Sequence, residues 1–233
     1  MANLAPTPES YLRFLSFIDR RPDITLTQFS LHWRTVHREL ALRLVEAGIM
    51  RGYVQNHRRD QPVAGLRPPS DGVPELWVDD ADVLAKLAAS PAYLQGAALD
   101  EKNFMSGSAR MFLSHSFTRQ GSLPRQQVAG QVKLMLFFQS SPSAEPTALL
   151  RHWMTQGLAL AADAAMTRAE LHLAIPNPDM PSHFSHCEAI WWRSQEEFER
   201  AWSDRTLAAT GLVNAASLLG MLVDEVPVLW PET

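Results

Sequence analysis

The 233-residue chain contains one cysteine, Cys187, which excludes an intrachain disulfide and every multi-cysteine zinc or iron–sulfur site. No apolar run approaches the ~18–20 residues that a bilayer-spanning helix needs. The first ten residues carry two prolines and no apolar signal-peptide core. A soluble, cytoplasmic protein without a membrane partner is therefore expected. Basic charge is not in excess either: 21 Lys and Arg stand against 25 Asp and Glu, so no nucleic-acid partner is expected. Arg20-Arg21 and Arg58-Arg59 have acidic residues close by and read as solvated surface. No glycine-rich phosphate loop and no Gly-x-Ser-x-Gly elbow occurs.

What is present is enough apolar material for a packed core. Tyr11 to Ile18 reads as a strand. Thr25 or Thr27 can cap a helix carrying Phe29, Trp33, Val36, Leu40 and Leu44 at three- and four-residue spacing, ending near Gly48. Strands follow at Ile49 to His57 and Val73 to Val78, separated by a proline-containing loop. Asp79 to Met105 reads as helical, with Pro91 starting a new helix, and Ser108 to Phe117 as a strand. The same order then repeats: a strand at Gln131 to Gln139, a helix at Ala144 to Met166, and strands at Arg168 to Ile175 and His186 to Trp192. A helix over Gln195 to Leu218 and a strand over Met221 to Leu229 complete it.

Sliding the first half by about 120 positions sets Arg13 on Lys133, Phe17 on Phe137 and His32-Trp33 on His152-Trp153. Beyond the shorter second proline loop the shift reads as about 113, which sets Glu75 on Glu188. The expected organisation is one unit over 1–120, a connector over 121–130 and a second unit over 131–233. Each is a βαββαβ, ferredoxin-like unit of the α+β class. Strands such as Val132 to Phe138 are apolar on both faces, with Lys133 the one charge, so the sheet face without helices must be covered. The two units are expected to pack sheet to sheet as an internal pseudo-dimer, an α+β barrel. A further homodimer is left open.

Phe29-Ser-Leu-His-Trp-Arg-Thr-Val-His37-Arg-Glu-Leu40, followed by Arg51-Gly-Tyr53-Val-Gln-Asn-His57, resembles the EthD family of dimeric α+β-barrel proteins. Asp100-Glu101-x-x-Phe104 resembles that family's acidic motif near the end of the second helix. The resemblance covers Tyr11 to about Phe117; the second unit departs from it, with Gly157 where His37 would stand. It implies a small-molecule pocket between helices and sheet in the first unit, and the second unit as a scaffold.

His37 lies one helical turn after Trp33, so both project from one side of the helix, with His37 at the cavity edge. An imidazole there suits proton transfer at neutral pH. The competing reading is a histidine that merely holds helix to sheet. Tyr53, Gln55 and His57 alternate along one strand and share a face, where a phenol and an imidazole can polarise a carbonyl. His57 at a solvent-facing strand end is the alternative. Arg13 and its counterpart Lys133 could each place a cation inside the barrel to receive a carboxylate or phenolate, or else are strand-edge surface charges. Asp100 and Glu101 are candidate bases, or else a solvated helix end. His32 and His152, each beside a Trp, read as packing or capping residues. Trp33 and Trp77 suggest aromatic walls suited to a flat ring ligand.

His183, His186, Cys187 and Glu188 cannot converge on one ion from a short extended run, so no metal is expected there. The expected function is a cofactor-independent enzyme using acid/base chemistry on a hydrophobic aromatic or polyketide-like carbonyl compound. His37, Tyr53 and His57 would be catalytic, and Arg13, Trp33, Gln55, Trp77 and Asp100 would bind substrate. Decarboxylation, dehydration, isomerisation and cyclisation stay open. The alternatives are a non-catalytic carrier of an apolar metabolite and a haem-binding or cofactor-free monooxygenase.

Overall fold

The computed structural model describes residues 8–107, 109–156, 165–176, 182–203 and 211–232. The first unit runs β1 (Leu12–Phe17), α1 (Leu26–His32), a π-helical turn (Trp33–His37), α2 (Arg38–Glu46), β2 (Gly52–Arg58) and β3 (Gly72–Val78). It continues through α3 (Val83–Ala89), a second π-turn (Tyr93–Ala97), α4 (Ala98–Phe104) and β4 (Arg110–Thr118). Thr25 caps α1 through a capping box with Gln28, satisfying two N–H groups that would otherwise lack partners. A short helix in the connector, α5 (Arg125–Val128), leads into β5 (Val132–Phe138), α6 (Pro146–Gln156), β6 (Arg168–Ala174), β7 (His186–Trp192), α7 (Gln195–Ser203) and β8 (Leu219–Leu229). Gly157 and the remainder of the helix expected to reach Met166 fall largely outside the described residues. Among the described residues no helix is long and apolar enough to cross a membrane.

All eight strands pair antiparallel in the closed order β1-β3-β2-β8-β5-β7-β6-β4. Each half is thus a split β-α-β sheet, and the halves join edge to edge through β2 with β8 and β4 with β6. Closure removes the free edges that would template aggregation. The outer faces lie under the helices. Phe14, Tyr53 and Leu113 pack with Ala41, Leu44 and Val83, and Phe29, Trp33 and Phe104 form an adjoining cluster. In the second half Leu134, Ile190 and Trp192 meet Phe198 and Trp202 of α7, while Phe138 and Leu171 meet Leu149 and Trp153 of α6.

The inner face is lined in two ways. One stretch is apolar, built on Leu15, Phe17, Phe112, Met135, Phe137 and Met221. The other is ionic. Arg125 reaches in from the connector to Glu75, Glu170 and Glu225 at 2.5–3.1 Å, and Lys133 meets Asn56, Glu75 and Glu225 at 2.8–3.3 Å. All five ionic groups are buried. Such charges survive desolvation only when each is matched and hydrogen-bonded, and here the carboxylates come from both halves.

Strand register also corrects the repeat beyond the first proline loop. Arg13 pairs with Trp77 and Lys133 with Trp191, so the shift there is 191 − 77 = 114, and Glu75 corresponds to Ala189 rather than Glu188. Gly52 pairs with Trp77 and Arg168 with Trp191, a shift of 168 − 52 = 116 for the neighbouring strands. Tyr53, Gln55 and His57 therefore correspond to Ala169, Leu171 and Leu173, and the polar row of β2 has no counterpart on β6.

Candidate functional site

A cavity of about 320 Å³ lies between the helices of the first unit and the outer face of β1, β3 and β2. That is ligand-sized, at the small end of the range for small-molecule sites. Its wall is mostly apolar, with Phe14, Leu44, Met50, Leu76, Phe104 and Met111 among the lining residues. Ser16, Trp33, His37, Tyr53, Tyr93 and Glu101 supply the polar atoms, and no Lys or Arg stands among the described lining residues.

The π-turn Trp33–His37 places the first two functional groups. In it the Arg38 N–H donates to the Trp33 carbonyl, five residues back. In an α-helix, residues five apart diverge by about 140° at 3.6 residues per turn. The wider turn narrows that divergence, and π-turns often mark functional sites. As a result His32 and His37 both reach the same carboxylate on α4. His32 Nε2 lies 2.9 and 3.1 Å from the two Asp100 oxygens, and His37 Nδ1 lies 3.1 Å from Asp100 Oδ2. Asn103 Nδ2 adds a fourth hydrogen bond at 3.0 Å.

Burial alone would raise the Asp100 pKa, but the hydrogen bonds from Asn103, His32 and His37 bring it below its ordinary value. The carboxylate therefore stays ionised and accepts a proton-bearing nitrogen from each imidazole. His37 must carry its proton on Nδ1, which leaves Nε2 as a base. Burial lowers the His37 pKa below its usual 6.5 against the opposing pull of Asp100, so the imidazole is neutral at neutral pH. The solvated-helix-end reading of Asp100 is thereby corrected, while His32 both packs on Phe104, its ring stacked at 5.1 Å, and bonds Asp100. Glu101, on the cavity wall, accepts from the Tyr93 hydroxyl at 2.9 Å, and its pKa is raised mainly by burial.

Opposite the helices, Tyr53 presents its hydroxyl from β2. Its oxygen accepts from Trp33 Nε1 at 2.8 Å and from Gln55 Nε2 at 3.1 Å. Burial raises the phenol pKa well above 10, so it stays protonated. Trp33 can approach because Gly72 opposes it: a Cβ at Gly72 would stand 2.5 Å from Trp33 Cζ3.

The remaining site residues divide. Gln55 is buried behind Tyr53, its Nε2 also bonding the Trp33 carbonyl at 2.8 Å. His57 is neither solvent-facing nor on the cavity wall. Its Nε2 meets Gln55 Oε1 at 3.0 Å, its Nδ1 meets Ser30 Oγ at 2.8 Å, and its ring packs on Trp33. Burial lowers its pKa to about 3. Arg13 and Trp77 point into the barrel, on the opposite side of the sheet from the cavity. The Arg13 guanidinium lies 3.9 Å from the Trp77 ring centroid and bonds Glu75 and Glu9, so neither residue meets a ligand in this cavity. The edge-charge reading of Arg13 fails equally, since the residue is buried.

No metal cluster forms around His186. That ring stacks on Phe138, Cys187 faces the barrel interior, and Glu188 accepts from Trp153 Nε1. Among the described residues, one group of carboxylates and imidazole is close enough to share an ion: Glu75, Glu170 and His172. Arg125 already bridges its two carboxylates.

Residues 21–108 match the model of the EthD domain. The first unit, which holds the cavity, carries this match. No curated protein matches the chain in sequence. Solved structures share its fold. A protein described as anthrone oxidase-like is 12% identical with a TM-score of 0.60, covering 94% of both chains. A variant of chlorite dismutase from Candidatus Nitrospira defluvii is 11% identical with a TM-score of 0.52, covering 95% of this chain and 93% of its own. A candidate monooxygenase from Lactobacillus acidophilus NCFM is 10% identical with a TM-score of 0.50, covering 94% and 93%. These are barrels of the same α+β class, and at such identity the likeness is one of fold.

Proposed function

We propose that the cavity of the first unit is the active site of a small-molecule enzyme that moves a proton on an apolar, ring-containing carbonyl compound without a cofactor. The observation that carries this reading is the oriented pair of His37 and Asp100 on the helices, with the protonated Tyr53 hydroxyl on the sheet side of the same cavity. His37 Nε2 removes a proton from a carbon that the carbonyl acidifies, directly or through a conjugated ring. Asp100 holds the ring and stabilises the imidazolium that forms. Tyr53 donates to the oxygen on which negative charge develops.

The lining argues for a neutral substrate, since no Lys or Arg stands among its described residues to pair with a substrate carboxylate. That favours isomerisation, dehydration or cyclisation through an enolate over decarboxylation. The likeness to a protein described as anthrone oxidase-like points to the same class of compound. A carbanion formed by this base would also be the species that a cofactor-free monooxygenase oxidises, so that chemistry shares its first step with the one proposed.

The test is solvent deuterium exchange into anthrone, followed by NMR. The wild-type protein is expected to accelerate exchange, and His37→Ala to lose on the order of 10²–10⁴ of that acceleration. Exchange that is unaffected by His37→Ala in a folded variant excludes the mechanism. A compound that co-purifies, stays bound and is never converted would instead identify a carrier.

A further inference from the structure

We infer that the hydrogen-bond polarity of the cavity is built into β2, so that Tyr53 can only donate and the site selects ligands presenting an acceptor oxygen there. This deepens the proposed function and rests on the same cavity.

Four contacts determine every proton. Gln55 Nε2 faces the Trp33 carbonyl, which can only accept, and this fixes the amide with Nε2 toward Trp33 and Tyr53. Gln55 Oε1 then faces His57 Nε2 and carries no hydrogen, so His57 must donate from that nitrogen. Nδ1 of His57 is left as an acceptor, and the Ser30 hydroxyl donates to it. The chain thus runs one way, from Ser30 through His57 and Gln55 to the Tyr53 oxygen.

The indole of Trp33 donates to that oxygen as well. Both lone pairs of the phenol are therefore occupied from behind, and its own proton is the one group left to meet a ligand. Reversing the chain would require turning the Gln55 amide over, which sets its Oε1 against the Trp33 carbonyl oxygen with no hydrogen between them. The polar row is specific to the first unit, because Ala169, Leu171 and Leu173 occupy the matching positions of β6.

His37 has the complementary polarity: with Nδ1 given to Asp100, Nε2 can only accept. The preferred ligand therefore offers an acceptor-only oxygen, such as a ketone or quinone carbonyl, to Tyr53, and an acidic C–H or O–H to His37. A site built this way rejects the wrong partner strongly, since a donor facing the Tyr53 proton leaves both groups unpaired. Gln55 and His57 are on this account positioning residues, and do not touch the substrate.

The test uses two bicyclic probes of similar size on the full-length protein, 1-indanone as a pure acceptor and indole as a pure donor, with Kd measured by calorimetry. The wild-type protein is expected to bind 1-indanone at least about tenfold more tightly. The bound ketone should show its C=O stretch displaced to lower wavenumber. In Tyr53→Phe the preference should fall to near unity and the stretch should return to its unbound position. Gln55→Leu frees one lone pair of the phenol, so indole should gain affinity.

Should Gln55→Leu fail to fold, Tyr53→Phe, which deletes one hydroxyl, carries the test. Equal binding of the two probes by the wild-type protein, or an undiminished preference in Tyr53→Phe, overturns the inference. Binding of neither probe overturns both this inference and the cavity as a ligand site. Loss of the preference with His37-dependent exchange intact removes this inference alone. A preserved preference without such exchange removes the proposed chemistry alone.

Discussion

The Trp33 indole nitrogen lies 2.8 Å from the Tyr53 hydroxyl oxygen, tying the π-turn of the first helical region to the second strand. That bond fixes both halves of the cavity at once, because the same turn carries His37. It depends on the bare backbone of Gly72. Gly72→Ala would push a methyl group into Trp33, and overpacking of this kind costs on the order of 1–3 kcal/mol. Chemical denaturation should show that loss, together with a change in tryptophan fluorescence as the indole shifts off Tyr53.

Asp100 is expected to act through His37. Asp100→Asn removes the charge that orients the imidazole and favours its protonated form. Turnover should fall by about 10² or more with little change in KM. The acid limb of the pH profile should move to lower pH, because the group opposing the effect of burial on His37 is gone.

The pH dependence of the unmodified protein follows from two signs. His37 works as a base only when neutral, and burial places its pKa below 6.5. The acid limb of activity should therefore be centred below pH 6.5. Tyr53 works as a donor only when protonated, and burial places its pKa above 10, so no alkaline loss is expected below that value. A kcat/KM profile between pH 4 and 10 checks both limbs. An acid limb centred above 6.5 would contradict the assignment of His37.

Arg125 is expected to hold the two halves together. It meets Glu75 of the first unit and Glu170 and Glu225 of the second, all buried. Arg125→Met keeps much of the volume but leaves these carboxylates short of positive charge, at a cost of about 3–5 kcal/mol. Buried carboxylates that lose part of their positive charge, though Lys133, Arg13 and Arg168 remain, bind protons more readily in the folded state, so the penalty should shrink as pH falls. Thermal unfolding of both proteins at pH 5 and pH 8 tests the magnitude and the sign.

The barrel was legible because the order of strands and helices occurs twice, and period-two strands with a bare face have few ways to bury it. That His37 shares a helix face with Trp33, and Tyr53 a strand face with Gln55, followed from spacing, while reading them as a site leaned on the resemblance to the EthD family. The contact of Asp100 with His37 was not legible, since a carboxylate near a helix end reads as solvated until the partner helix is placed. The π-turn was hidden because its sequence is that of an amphipathic α-helix, and one extra residue per turn brings His32 into the site. Arg13 was legible as a cation inside the barrel, but not that the barrel interior lies across the sheet from the helix-side cavity, which takes Trp77 away from that cavity as well. The ionic cluster was out of reach, as Arg125 sits in a connector and Glu225 in the last strand, 100 residues apart.

The most direct measurement is a crystal structure of the protein with anthrone bound. Density should fill the first-unit cavity, with the carbonyl oxygen within hydrogen-bond distance of Tyr53 Oη and the acidic carbon beside His37 Nε2. Anthrone seated against the second unit, or bound in the cavity with its carbonyl turned away from Tyr53, would contradict the account.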